Sequence, residues 1–313
     1  MSTMKAVRIH KYGGPDVLHY EDAPRPAPAA GEVLVRVIAA GVNALDWKVR
    51  EGHVRRIVDH ALPLTIGWDF SGIVEELGHG VVGIAPSDAV FAHSDFTRNG
   101  AYAEHIVVRV SELAKKPRTL DHTHSAAVPF AALTAWQTVC EKTGCDVKSG
   151  QTVLIHGAAG GVGHFAVQLA KWRGAKVIGT GSAQNEDFIR SLGADDFIDY
   201  NRHRFEEIVF DVDAIVDTVG LDTQMRSWKV IKEGGVMAGL VTAPSEIAAK
   251  AHKARAMLIS VRPNASHLAA ISELLDAGTL KTTIAEVIPL DQARRAHEMS
   301  QAGHVRGKIV LTT

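Results

Sequence analysis

Two hydrophobic periodicities run along the chain, and one replaces the other part-way. From Met4 to about residue 110, short runs of strand-type apolar positions recur: AVRIH, EVLVRVIAAG, SGIVEEL, DAVFAH and AYAEHIVV. Turn-rich segments such as APRPAPAAGE separate them. Short runs bounded by turn residues predict β-strands, so this stretch predicts an irregular, mostly β domain. From about residue 125 to 262, strand-like runs alternate with helix-period segments: TVLIHG, HFAVQLAKWRG, AKVIGTG, EDFIRSLG, DFIDY, VDAIVDTV, GGVMAGLV and MLISV. Such alternation predicts a parallel sheet with right-handed crossovers, hence an α/β fold class. Beyond it, SHLAAISELLDAG and LDQARRAHEMSQAG read as amphipathic helices, with strand-like TTIAEVIPL between them and GKIVLTT at the end.

The sharpest motif is VLIHGAAGGVGHFAVQLAKWRGAKVIGT, residues 153–180. An apolar strand runs into Gly157, glycines 160, 161 and 163 sit at the turn, a helix follows, and Gly174 can cap it before the next strand. Glycines let the backbone turn tightly and approach a pyrophosphate, while free N–H groups and the positive end of the helix attract that anion. Read strictly, the fingerprint is A-x-G-x-x-G, with Ala158 at the first glycine position. The loop Ala158, Ala159, Gly160, Gly161, Val162, Gly163 is therefore expected to bind a dinucleotide. About 20 residues past the glycines, NAD-preferring folds place an acid on the adenine ribose. Here the strand ends in GTGSAQNED, with Ser182 at that place, and the missing acid favours NADPH. No Lys or Arg lies between 181 and 187, so Tyr200, Arg202 and Arg204 are candidates for the remaining contacts. The plainer alternative is that Ser182 only turns the chain.

Composition narrows the partners. A length of 313 residues favours two domains, and 46% hydrophobic with 22% charged residues is globular. The 34 basic and 35 acidic residues leave a formal net charge of -1, which points to no nucleic-acid or anionic-membrane partner. No apolar run approaches the roughly 20 residues of a membrane span. The opening MSTMKAVRIH lacks the apolar core of a secretory signal, so a cytoplasmic location is expected. Cys140 and Cys145 lack the paired spacing of a zinc site or a disulfide framework and are expected to be structural.

GVNALDWKVREG, residues 41–52, crowds Asn43, Asp46, Trp47, Lys48 and Arg50 into what reads as a turn after an apolar strand. Together with VPFAALTAWQTV, GAAGGVGHFAVQLA, PLTIGWDFSGIV, GAYAEHIVV and HVRGKIVLTT, it resembles the zinc-free quinone oxidoreductase and alkenal/enone reductase branch of the medium-chain dehydrogenase/reductase superfamily, over nearly the whole chain. The resemblance implies a GroES-like substrate domain (1–124 with 263–313), a Rossmann doubly wound domain (125–262), an active cleft between them and a homodimer. It further implies NADPH-dependent reduction of quinones or of the C=C bond of α,β-unsaturated carbonyls. Carried over residue by residue, the cofactor contacts are Thr134, the 158–163 loop, Ser182, Tyr200, Thr218, Val241 and Lys308.

Zinc-dependent members carry a Cys and a His-Glu pair at positions that here read Asn43, Trp68 and Asp69, and the four-cysteine lobe expected near 93–110 is missing. Asn and Trp do not replace thiolate and imidazole, so no metal site is expected. His122 and His124 form a short His-x-His in what reads as a polar loop, expected to be solvated surface. Without a Lewis acid, a site can still pass hydride to an acceptor activated by conjugation, provided it orients the partners and stabilises the developing oxyanion. Asn43 and Lys48 are the expected donors, with Asp46 the third catalytic candidate. Many quinone reductases of the branch have Tyr in place of Lys48, and DWK resembles the enone/alkenal reductases. Asp46 and Arg50 have the alternative of bracing the turn, and Trp47 and Trp68 of packing. Two other functions stay open: an enoyl reductase of a polyketide or lipid pathway, and a non-catalytic NADPH-binding protein.

Overall fold

The computed structural model describes residues 2–313. They form two compact units: one runs up to residue 130 and takes in 262–278 and 282–313, the other is 131–261 with 279–281.

The first unit opens with β1 (Thr3–Ile9), β2 (Leu18–Pro24), β3 (Glu32–Val42), α1 (Ala44–Arg50), β4 (Leu64–Thr65), β5 (Asp69–Leu77), β6 (Ala89–His93), β7 (His105–Arg109), β8 (Leu113–Lys115) and α2 (His122–Ala126). β2, β1 and β4 form an antiparallel sheet. β3 is the axis of a larger sheet, paired antiparallel to β5 and β7. Its valines 33, 35 and 37 are buried with Trp68, Phe70, Val90 and Ile106 in the core. Three local readings change. Residues 44–50 are a helix rather than a turn, because Asn43 and Asp46 stand at the N-cap and third positions of a helix start. His122 and His124 lie in helix α2, not in a loop; Asp121 caps it by accepting the His124 N–H at 2.7 Å, and His122 Nδ1 meets Ser71 Oγ at 2.8 Å. β2 was not foreseen, since as a sheet-edge strand it buries only Ala23 and so carries no apolar alternation.

The second unit follows from α3 (Pro129–Val139), which starts at the boundary, into β9 (Thr152–His156), α4 (Gly163–Trp172), β10 (Lys176–Gly181), α5 (Glu186–Ser191), β11 (Asp196–Asp199), β12 (Val212–Asp217), α6 (Leu221–Ser227), β13 (Ile231–Gly239), α7 (Glu246–Ala251) and β14 (Arg255–Leu258). The sheet order is β11-β10-β9-β12-β13-β14, with every pair parallel. Numbered from its own first strand this is 3-2-1-4-5-6, the Rossmann order, with the switch point between β9 and β12. The chain then returns through α8 (Ala265–Asp276), β15 (Ile284–Pro289), α9 (Ala293–Ala302) and β16 (Lys308–Thr312). β16 pairs antiparallel with β3, so the C-terminal strand lies in the large sheet of the first unit. Among the described residues no helix is long and apolar enough to cross a membrane.

Candidate active site

In the second unit the expected cofactor residues collect at the carboxyl ends of parallel strands. The 157–163 loop follows β9, Ser182 follows β10, Tyr200 follows β11, Thr218 follows β12 and Val241 lies just past β13. This is the edge at which open α/β sheets bind ligands. Gly157 makes the tight turn, at φ +66, so the left-handed residue precedes Ala158. A Cβ on Gly163 would lie 2.1 Å from the Gly157 carbonyl oxygen, a backbone atom that cannot swing aside, so only glycine lets α4 start this close to β9. Helix α4 opens at Gly163, its first-turn N–H groups of His164 and Phe165 donating to the Gly160 and Val162 carbonyls at 3.0 and 3.1 Å, so the positive end of its dipole stands at this loop. Thr218 Oγ1 donates to the His156 carbonyl at 2.8 Å, tying the β12 end to the β9 end. Tyr200 and Val241 are exposed and Ser182 is half-buried, its Oγ accepting from Asn185 Nδ2 at 3.1 Å. Thr134 is buried in α3, its carbonyl accepting from Thr138 Oγ1 at 2.6 Å.

One determinant of this edge escaped the sequence. Buried Asp217 accepts the Val219 and Gly220 N–H groups at 3.0 and 2.9 Å and Gln224 Nε2 at 3.0 Å, which fixes the loop after β12. An acid ending VDAIVD is the only trace of it in the sequence. His156 is buried beneath the same edge, its ring nitrogens 3.2 Å from Thr180 Oγ1 and 2.9 Å from Ser227 Oγ, and burial pushes it down to about 4.

In the first unit the residues around α1 form a buried polar network. The Asn43 N–H donates to Asp46 Oδ2 at 2.8 Å, one arm of a capping box. Tyr102 Oη donates to the same oxygen at 2.8 Å, and burial pushes the Asp46 carboxyl up to about 7. The Asn43 side chain is engaged at both ends: Nδ2 donates to Asp69 Oδ2 at 2.9 Å, and Oδ1 accepts from the Lys308 ammonium, which also donates to the Val42 carbonyl at 2.6 Å. Asp69 further accepts from the Phe130 N–H at the start of α3, at 3.0 and 3.1 Å, and pairs with His93 Nδ1 at 2.9 Å. Lys308 is thus brought to Asn43, where its buried ammonium is lowered from its ordinary range by desolvation.

Lys48 stays half-buried, its Nζ 5.7 Å from the centroid of the Trp47 ring. Arg50 is fully buried: Nε donates to the Gly13 carbonyl at 3.0 Å, and the guanidinium reaches His297 Nδ1 and Gln301 Oε1, each at 3.0 Å. It braces α1 against α9. Burial, with Arg50 beside it, pushes His297 down to about 3. A cavity of about 560 Å³ elsewhere in this unit is lined by Arg8, His60, Arg98 and His105 among others, and by none of the expected site residues.

Comparison with known proteins gives this geometry its relatives. Residues 29–118 match the alcohol dehydrogenase GroES-like domain, and residues 192–311 match the zinc-binding dehydrogenase family. The 2-methylene-furan-3-one reductase of Solanum lycopersicum is 33% identical, across 99% of this chain and 79% of its own. The human mitochondrial NAD(P)H oxidoreductase RTN4IP1 is 32% identical, across 99% and 89%. A solved quinone oxidoreductase from Coxiella burnetii superposes with a TM-score of 0.93 at 35% identity, over the whole of both chains. The chain belongs to the medium-chain dehydrogenase/reductase superfamily. Its first unit is the GroES-like domain of that superfamily and its second the Rossmann-like one.

Some members of the medium-chain dehydrogenase/reductase superfamily bind zinc, and the residues here do not fit that ion. Asn43 is held by Lys308 and Asp69, while Trp68, fully buried, donates its indole N–H to the Arg98 carbonyl at 3.0 Å. Among the described residues no three His, Cys, Asp or Glu side chains converge as a ligand set. Burial pushes the thiols of Cys140 and Cys145 up to about 12, which suits packing better than nucleophilic or ligand chemistry.

Proposed function

We propose that this member of the medium-chain dehydrogenase/reductase superfamily is an NADPH-dependent, zinc-independent reductase of quinones or of the C=C bond of α,β-unsaturated carbonyls, with enones and enals its preferred acceptors. The observation that carries the reading is the α1 site, where the amide of Asn43 stands in place of a metal ligand and the half-buried ammonium of Lys48 lies on the helix it caps. NADPH, when bound, supplies the hydride. The 158–163 loop holds the pyrophosphate, and Ser182 leaves room for the 2′-phosphate that an acid would repel, with Tyr200 beside it. Thr134, Thr218 and Val241 complete the cofactor contacts. Lys48 donates to the substrate oxygen, where charge grows as the conjugated bond is reduced, and Asp46 holds the start of α1 through the Asn43 N–H. The relatives named as a 2-methylene-furan-3-one reductase and a quinone oxidoreductase support the acceptor class. The same reading includes a homodimer: β14 is a sheet edge with Leu258 57% exposed, a strand open to pairing with a second copy.

An acceptor screen on purified protein tests this, with NADPH absorbance followed across quinones, enals, enones and enoyl thioesters. Turnover is expected with enones or quinones, unchanged after exhaustive chelation, with NADPH bound more tightly than NADH. Activity on enoyl thioesters alone would make it an enoyl reductase. NADPH binding without oxidation by any acceptor would make it a non-catalytic binding protein.

A further inference from the structure

The large sheet of the first unit carries a row of polar side chains across four neighbouring strands. β16 pairs with β3 in the register Ile309↔Val42, which sets Lys308 opposite Asn43 just past the end of β3. On the other side β3 pairs with β5 through Gly41↔Asp69, and β5 with β6 through Asp69↔His93. Residues of one parity share a sheet face, so Lys308, Asn43, Asp69 and His93 line up as rungs. Gly41 keeps the row open to α2, since a Cβ there would lie 2.3 Å from the Ala126 carbonyl oxygen. The result is one hydrogen-bonded chain: the Lys308 ammonium donates to Asn43 Oδ1, Asn43 Nδ2 donates to Asp69, and Asp69 is fixed in turn by His93 and the Phe130 N–H. Lys308 is 4% exposed and Asp69 fully buried.

An amide gripped by a cation at its oxygen and a carboxylate at its nitrogen has one orientation, and keeps one N–H free of that grip. We propose that Lys308, Asp69 and His93 are positioning residues that hold the Asn43 amide so that its second N–H points to the oxygen of the bound acceptor. This rests on the function proposed above. It separates Lys308 from the cofactor contacts expected of it: Lys308 acts through Asn43, on whose amide oxygen its buried ammonium is held.

Two measurements test it. In the acceptor assay, Lys308→Met is expected to lower kcat about 10- to 100-fold, as misplacement of a reacting group does, with the Kd of NADPH unmoved. The double variant with Asn43→Ala is expected to be no slower than Asn43→Ala alone, because both changes remove one device. Independently of activity, the Asn43 side-chain amide signals, assigned in NMR spectra by their loss in Asn43→Ala, are expected to exchange with solvent faster in Lys308→Met. Asp69→Asn, which keeps the shape of the side chain, is expected to do the same and serves where Lys308→Met does not fold. Additive losses in the double variant, a raised Kd for NADPH with kcat kept, or unchanged amide exchange would each overturn the inference. A wild-type protein inert toward every acceptor would overturn the functional reading instead, and amide exchange would still decide this one.

Discussion

The cofactor edge of the second unit and the α1 region of the first are built from opposite materials. At the Rossmann edge the working groups are backbone: a left-handed Gly157, a Gly163 without room for a Cβ, and the opening turn of α4. Around α1 they are ionisable side chains taken out of water, with Asp46, Asp69 and Lys308 all under a tenth exposed and compensated by Asn43, Tyr102, His93, the Phe130 N–H and the Val42 carbonyl. A backbone site is as rigid as its strands and fails by steric intrusion. A charge network fails when one partner is removed, because the others are left buried and uncompensated.

The largest effect should come from intrusion. Gly163→Ala would put a methyl group 2.1 Å from the Gly157 carbonyl oxygen, so α4 must move away from β9 and the phosphate-binding turn is lost. NADPH binding, followed by titration of intrinsic fluorescence, is expected to vanish. Retained affinity would mean that the loop is softer than its geometry implies. Removing a donor near α1 should instead slow the reaction and spare the binding of the adenine end. Lys48→Met is expected to lower turnover with the best acceptor about 10²-fold, equivalent to about 2.7 kcal/mol of barrier. Near-normal turnover at saturating NADPH and acceptor would make Lys48 a solvated helix residue. A smaller shift sharpens the contrast at the Rossmann edge itself: Ser182→Asp places a carboxylate where the 2′-phosphate would lie, and is expected to move the NADPH-to-NADH affinity ratio toward NADH by about tenfold, or about 1.4 kcal/mol. An unchanged ratio would leave Ser182 as a turn residue only.

The two materials also explain what could be read in advance. The Rossmann edge is written locally: its glycines fall within seven residues of one another, and the alternation of strands and helices places Ser182, Tyr200, Thr218 and Val241 at strand ends without any tertiary knowledge. Only Asp217 was missed there, because a buried acid that satisfies loop N–H groups looks like any strand-terminal aspartate. The α1 network is assembled from residues 43, 46, 69, 93, 102 and 308, which only strand register brings together. The sequence supplied Asn43, Asp46 and Asp69 as points of interest but not their partnership, nor that of Lys308 with Asn43, while the bracing role open to Arg50 is the one it takes. The helix at 44–50 was legible in principle, from Asn43 followed three residues on by Asp46; the short polar segment was read as a turn because its apolar periodicity covers barely two helical turns.

The smallest effect is in stability, and it separates the units by the sign of their pH dependence. Each buries a histidine that burial keeps neutral: His156 in the second unit, pushed by desolvation from 6.5 to about 4, and His297 in the first, pushed from 6.5 to about 3 by desolvation and then by Arg50. A histidine whose folded pKa is depressed contributes stability that is present above 6.5 and is lost as pH falls toward the folded value, because the unfolded chain takes up the proton first. Both units should therefore weaken from about pH 6.5 downward. Asp46 adds the opposite trend in the first unit alone. Burial raises it from 3.8 to about 7, so its contribution is complete below 3.8 and is lost as pH rises through 7, where the folded state must give up a proton it holds better than the unfolded chain does. Thermal unfolding followed from pH 5 to 8 is expected to give a midpoint that is level above about pH 7 and falls below about pH 6.5, where two histidines outweigh one carboxyl, by a few °C for each kcal/mol lost. Asp46→Asn, which cannot ionise, should steepen the acid side, where between 3.8 and about 7 the Asp46 trend opposes that of the histidines. An acid side no steeper in that variant would leave Asp46 charged throughout.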